Sequence, residues 1–275
     1  MADPGQTADD GTTDASPSAA WDPVRYLRFA GERARPFAEL VSRIDADSPA
    51  AVVDLGCGEG SLTASLARRW PGARVTGVDS SPQMLAAAAT TPGRVGFELG
   101  DVRDWAPPGP VDVVVSNAVL HWVPGHERLL PRWAGWLPPG GWLAVQVPGN
   151  FRAPTHALLA GLCRSPRWAG LLADAAPAPD AVLDPEGYLE VLAGAGLVAD
   201  AWETTYLHVL TGEDPVLEWV RSTVLRPALG RLPEDEAARF TAEYAAALRD
   251  AYPRRPDGTT VLPFRRVFTV GHRPA

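Results

Sequence analysis

Cysteine is scarce in this chain, with Cys57 and Cys163 the only two among 275 residues. No C-x-x-C pair or Cys/His ligand spacing occurs, which argues against a disulfide scaffold and structural zinc and fits a reducing cytoplasm. No apolar run approaches the roughly 18 residues needed to span a membrane. The N-terminus carries neither the basic stretch nor the apolar core of a secretory leader. Basic clusters are missing as well, and a formal net charge of −8 makes nucleic acid a poor partner. The expected class is a soluble cytoplasmic enzyme acting on a small molecule, with no metal. Oligomeric state leaves no mark in the sequence.

Residues 1–20 are rich in Asp, Thr, Ser, Pro and Ala and read as a disordered lead-in. Residues 21–275 read as one domain. Apolar strands are expected at 51–55, 73–79, 94–99, 111–116 and 141–147, with helices between them at about 61–70, 82–90 and 126–137. Near-continuous apolar runs such as Val111-Asp112-Val113-Val114-Val115 suit a parallel sheet covered on both faces. Ser80-Ser81-Pro82 gives a capped helix start, and Pro138-Pro139-Gly140-Gly141 a turn into the next strand. Beyond Asn150 the alternation breaks, and 151–180 reads as a proline-interrupted helical insertion or lid. A helix at 185–195, a strand at 198–210, helices near 214–225 and 233–250 and a strand near 261–271 complete the pattern. The whole predicts an α/β fold with a seven-stranded, mostly parallel, Rossmann-like sheet. A helical cap comes from insertions at about 150–182 and 212–255, and an N-terminal helix at about 23–43 also covers the site.

The most informative stretch is Val52-Val53-Asp54-Leu55-Gly56-Cys57-Gly58-Glu59-Gly60. A short β-branched strand ends in an acid and three alternating glycines before a helix begins at Ser61. The glycines let the backbone turn tightly and approach a ligand without Cβ interference. Asp54 lies at the carboxyl end of the strand, where open α/β sheets bind ligands. Nineteen residues past Gly60 a second strand ends in Asp79, a spacing that suits an acid accepting from both hydroxyls of an adenosine ribose. A dinucleotide site would use G-x-G-x-x-G, with its pyrophosphate on the helix N-terminus. Here the spacing is G-x-G-x-G, nothing basic faces a phosphate, and Glu59 would repel one. Cys57 reads as a small buried loop residue rather than a nucleophile.

This D-L-G-C-G-E-G run resembles the first motif of class I S-adenosylmethionine-dependent methyltransferases, whose cationic sulfonium cofactor carries no phosphate. The resemblance implies S-adenosylmethionine as cofactor, held by Asp54, Gly56, Gly58, Asp79 and Ser80. It also implies Asp101 on the adenine amino group beside Val102, and Asn117 at the methionine end. Met84 could flank the adenine or simply fill the core, and Asn117 reads equally as a turn cap. His121 and Trp122 fall near the methyl position, although a histidine there is often only packed.

Distant segments sharpen the resemblance. Trp21-Asp22-Pro23-Val24-Arg25-Tyr26-Leu27-Arg28-Phe29, Val145-Gln146-Val147-Pro148-Gly149-Asn150, Trp202-Glu203-Thr204-Thr205-Tyr206-Leu207-His208, Leu225-Arg226-Pro227 and Leu262-Pro263-Phe264-Arg265-Arg266-Val267-Phe268 are similar to trans-aconitate 2-methyltransferases. The similarity runs over about 21–273 and is poor over 160–182. It implies O-methylation of a carboxylate of trans-aconitate or a similar small tricarboxylic acid. The chemistry agrees: a carboxyl group with a pKa near 4 is already ionised near neutral pH and needs no general base. The absence of a Ser/His/Asp or Cys/His relay is therefore no obstacle. The site must supply in-line positioning, exclusion of water and donors for the other carboxylates. Candidate donors are Arg25, Tyr26, Arg33, Tyr206, His208, Arg226 and Arg265, with Gln146 and Asn150 as neutral ones. Each arginine also has a plain reading: Arg25 and Arg33 as solvated helix charges, Arg226 as a cap beside Pro227, Arg265 or Arg266 as a cross-strand partner. Two alternatives stay open: a carboxyl methyltransferase for another acid, such as a malonyl thioester, and a non-catalytic S-adenosylmethionine-binding protein. A nicotinamide dehydrogenase is disfavoured by loop spacing and charge.

Overall fold

The computed structural model describes residues 30–91, 93–221 and 223–275. Seven strands form one sheet in the order β3-β2-β1-β4-β5-β7-β6. β1 (Ala51–Leu55), β2 (Arg74–Asp79), β3 (Val95–Leu99), β4 (Val113–Asn117) and β5 (Trp142–Pro148) run parallel to one another. β7 (Thr260–His272) inserts antiparallel between β5 and β6 (Val198–Leu210). This is the seven-stranded, mostly parallel sheet expected from the sequence. Every residue of β1 is buried, as a central strand covered on both faces requires.

Helices between strands start where local chemistry allows. Before Pro82–Ala88, the Ser81 hydroxyl accepts from the Met84 N–H at 3.3 Å, with proline in the first turn. Before Pro185–Gly194, Asp184 does the same for the Gly187 N–H at 2.9 Å. The helix expected over 126–137 is shorter, with a 3₁₀ turn at His126–Arg128 leading into Leu129–Ala134. At 151–180, Pro154–Cys163 is helical and is followed by the single turns Ala169–Leu172 and Ala173–Ala175.

Among the described residues, three apolar cores hold the layers together. On one face of the sheet Val53, Leu55, Val114 and Leu143 pack with Leu130, Trp133, Tyr188 and Leu192. On the other, Val52, Val113 and Phe268 pack under Phe37, Leu40 and Val41 of α1 (Ala30–Ser42). The third lies in the cap, where Leu159, Trp168, Trp219, Phe240 and Tyr244 close over Leu210 and Leu262, at the far end of the β6–β7 hairpin. Both insertions thus share one core above the carboxyl ends of the parallel strands. Among the described residues no helix is long and apolar enough to cross a membrane.

Candidate active site

The glycine loop after β1 is fixed by its backbone. Gly56, Gly58 and Gly60 all have positive φ, at 82°, 57° and 81°. A Cβ on Gly56 would lie 2.0 Å from a Val119 methyl, and one on Gly60 2.6 Å from the Phe97 ring. A Cβ on Gly58 would meet nothing within 4 Å, so Gly58 faces open space. Glu59 reaches forward to the Ser61 N–H at 3.2 Å and the Ser61 hydroxyl at 2.5 Å. Its carboxylate thereby occupies the start of the following helix, the position a dinucleotide pyrophosphate would need. Cys57 packs against Gly77 and is buried, and burial pushes its thiol well above the usual range. It is a packing residue.

Two acids stand beside this loop. Asp79 ends β2 and accepts from the Gly58 N–H and the Ser81 N–H, each at 2.9 Å, one on each oxygen. Each carboxylate oxygen has lone-pair capacity for a further donor, as two ribose hydroxyls would require. Asp54 is buried and accepts from the Thr63 hydroxyl at 2.6 Å. Burial raises its pKa to about 6, against the Thr63 hydrogen bond, and nearby Asp79 adds to the rise. A cation placed here would relieve both. The open Gly58 face, the half-used Asp79 and the strained Asp54 charge suit a phosphate-free nucleoside carrying positive charge. Ser80 is exposed directly beyond Asp79. Asp101 lies in the turn after β3, where Arg103 engages it through its backbone N–H at 2.9 Å and its guanidinium at 2.9 and 2.5 Å. That contact holds the Asp101 carboxyl below the usual range. Val102 is buried in the core beside Val78.

The opposite side of the crevice is built from β4, β5 and β7. Asn117 pairs with Gln146, and Gln146 with Phe268. Ala118, just beyond β4, holds φ at 58°, the one non-glycine residue with positive φ among those described, at a cost of about 1–2 kcal/mol. Its N–H is fixed to the Gln146 carbonyl at 2.8 Å. Four side chains here keep buried polar atoms without hydrogen-bond partners: Asn117 Oδ1, His121 Nδ1, Asn150 Oδ1, and both Oε1 and Nε2 of Gln146. Gln146 is only 1% exposed, so its bare amide is a standing cost that a polar ligand would remove. Burial, then the charge of Arg266, lowers the His121 pKa to about 3, so its imidazole is neutral at physiological pH. Beside it Trp122 is 59% exposed, with ring centroids 4.6 Å apart.

The remaining sequence candidates separate. Tyr206 is buried on the same face, but its hydroxyl donates to Glu39 of α1. Glu39 also accepts from the Thr204 hydroxyl at 2.8 Å and the Trp202 Nε1–H at 3.2 Å. His208 stacks on Trp219 at 4.4 Å, further out along the hairpin. Arg226 begins the short cap helix Arg226–Leu229 and is half-buried. Arg265 lies on the other face, where its guanidinium meets Glu203 at 2.5 and 2.7 Å and the Gly149 carbonyl at 3.0 Å. It is a cross-strand partner because successive residues of a strand face opposite ways. Its neighbour Arg266 takes the inward place, 6% exposed and 4.5 Å over the Phe264 ring. Arg25 and Tyr26 lie outside the described residues, as does the side chain of Arg33. Among the described residues no group of three or more His, Cys, Asp or Glu side chains could hold a metal.

Known proteins resemble this chain in sequence and in fold. A family described as "Methyltransferase domain" matches residues 52–141. A trans-aconitate 2-methyltransferase of Streptomyces avermitilis is 53% identical over 264 residues, covering 93% of this chain and 98% of the relative. Relatives of the same name from Rhodococcus jostii and Mycobacterium tuberculosis are 54% and 51% identical, each over 91% of this chain and over 98% and 95% of their own. Among solved structures, the Bacillus subtilis protein YcgJ matches with a TM-score of 0.55 at 13% identity, over 88% of this chain and 99% of that one. Phosphoethanolamine N-methyltransferase 2 of Haemonchus contortus, in complex with S-adenosyl-L-methionine, matches with a TM-score of 0.53 at 16% identity, over 92% of this chain and 56% of that one. Both structural likenesses concern the fold.

Proposed function

The chain belongs to the trans-aconitate 2-methyltransferase family, and we propose that it esterifies one carboxylate of trans-aconitate, or of a similar small tricarboxylic acid, in the cytoplasm. The observation that carries the reading is the reach of the similarity: the 53% identity to the Streptomyces avermitilis relative extends over 93% of the chain, taking in the cap as well as the glycine loop. When bound, S-adenosylmethionine supplies an electrophilic methyl group on a cationic sulfur. Asp79 and the Gly58 backbone would hold its ribose, and Asp54 would face its positive charge. The chain need not remove a proton, because the acceptor is already ionised. Neutral His121 fits that requirement as a positioning group beside the acceptor and does not have to act as a base. Gln146, Asn150 and the cap exclude water and orient the acid in line with the methyl group.

The test is incubation of the protein with S-adenosylmethionine and a panel of di- and tricarboxylates plus a malonyl thioester, with methyl esters read by mass spectrometry. A mono-ester of trans-aconitate is expected. An ester of the malonyl thioester alone would reassign the acceptor, and cofactor binding with no ester from any acid would make the protein a non-catalytic binder.

A further inference from the structure

We infer that Arg266 anchors one carboxylate of the acceptor and so determines which carboxylate remains free to take the methyl group; this rests on the polycarboxylate reading above. Arg266 pairs with Pro148 on β5 and Thr204 on β6. It therefore shares a face with Gln146 and Phe268, two residues further along their strands. Phe268 on that face packs under Phe37, Leu40 and Val41 of α1, so Arg266 lies on the face of the sheet that α1 covers. Arg266 is buried, 6% exposed, so solvent screens its interaction with a nearby anion only weakly. Here it lies on the face that also carries the partnerless amide of Gln146. An anion arriving there gains a charge-assisted fork from Arg266 and at the same time satisfies the neutral amide.

On the same side of the crevice, Asn117 and His121 at the end of β4 differ from Arg266 in charge. A carboxylate clamped by a guanidinium has its lone pairs engaged and is a poor nucleophile. The reacting carboxylate should instead meet only neutral groups, and those nearer the glycine loop are neutral: Asn117 and His121, each with a buried polar atom unpartnered. Arg266 would thus hold the carboxylate that is not methylated, while Asn117 and His121 orient the one that is.

The experiment compares the wild type with Arg266→Met, which keeps side-chain bulk, on trans-aconitate and its three mono-amides, with the ester position read by mass spectrometry. Arg266→Met should raise KM for trans-aconitate by about a hundredfold or more, leave S-adenosylhomocysteine affinity within about twofold, and yield a mixture of ester positions. On one of the three mono-amides, the one lacking the anchored carboxylate, wild type and variant should have nearly equal kcat/KM. A uniform loss across trans-aconitate and all three amides, with one ester position retained, would make Arg266 structural and overturn the inference, as would unchanged kinetics. Should Arg266→Met fail to fold, Arg266→Lys carries the same test, with an intermediate loss expected because it keeps the charge and loses the fork. An active wild type with an indifferent Arg266 overturns this assignment alone; a wild type that esterifies no polycarboxylate overturns the functional reading with it.

Discussion

The two sides of the crevice solve the problem of polar groups in opposite ways. Around β1 and β2 the acids have internal partners: Asp79 takes two backbone N–H groups, Asp54 a threonine hydroxyl and Glu59 the start of a helix. Around β4, β5 and β7 polar atoms of Asn117, His121, Gln146 and Asn150 are buried and unmatched. The first side is an acidic cradle whose carboxylates are already held by groups of the chain itself. The second is a set of donors and acceptors that a ligand has to complete, with the buried Arg266 on the same wall. An acidic cradle suits a cationic methyl donor, and an incomplete polar wall around a guanidinium suits an anion.

The largest effect should come from breaking the first side at Asp79. Asp79→Ala removes the proposed ribose acceptor and also frees the Gly58 and Ser81 N–H groups, so cofactor affinity should fall by about a hundredfold or more, as read by calorimetry. Asp54 gives a subtler break. Its pKa is raised in the folded protein to about 6 from 3.8, so the folded state binds this proton more readily than the unfolded chain. The associated stability is complete below the unfolded pKa and is lost as pH rises through about 6. The ligand-free protein should therefore be less stable at pH 7 than Asp54→Asn, while the variant binds S-adenosylmethionine more weakly. Wild-type cofactor affinity should rise between pH 5 and 7. A flat pH profile of affinity would remove Asp54 from the cation site. The smallest effect is expected on the second side, at Glu39→Gln. The three donors from β6 remain but lose a charged acceptor, which should lower the melting temperature by a few degrees while cofactor affinity holds.

The same contrast sets how much was legible in the sequence. The acidic cradle lies within residues 54–81, so local motif spacing revealed it, and the strand boundaries followed from apolar runs. The antiparallel insertion of β7 between β5 and β6 left no local mark, because strand order is decided by long-range pairing. Arg265 and Arg266 could not be told apart for a related reason. β7 is buried on both faces over much of its length, so the usual polar-out alternation that would give each residue's direction is missing. Glu39 was not singled out because its partners on β6 are more than 160 residues away. The available signal was the alternation Trp202-Thr204-Tyr206, which places three donors on one face. The left-handed Ala118 had no signal at all, since alanine does not announce that conformation.

The central claim is that the two sides bind different ligands independently. It is tested most directly by measuring S-adenosylhomocysteine affinity and the KM for trans-aconitate in Asp79→Ala and Arg266→Met side by side. The account predicts crossed losses: Asp79→Ala weakens the nucleoside and Arg266→Met the acid, each leaving the other ligand's constant near the wild-type value where it can be measured. Parallel losses of both ligands in both variants would contradict it.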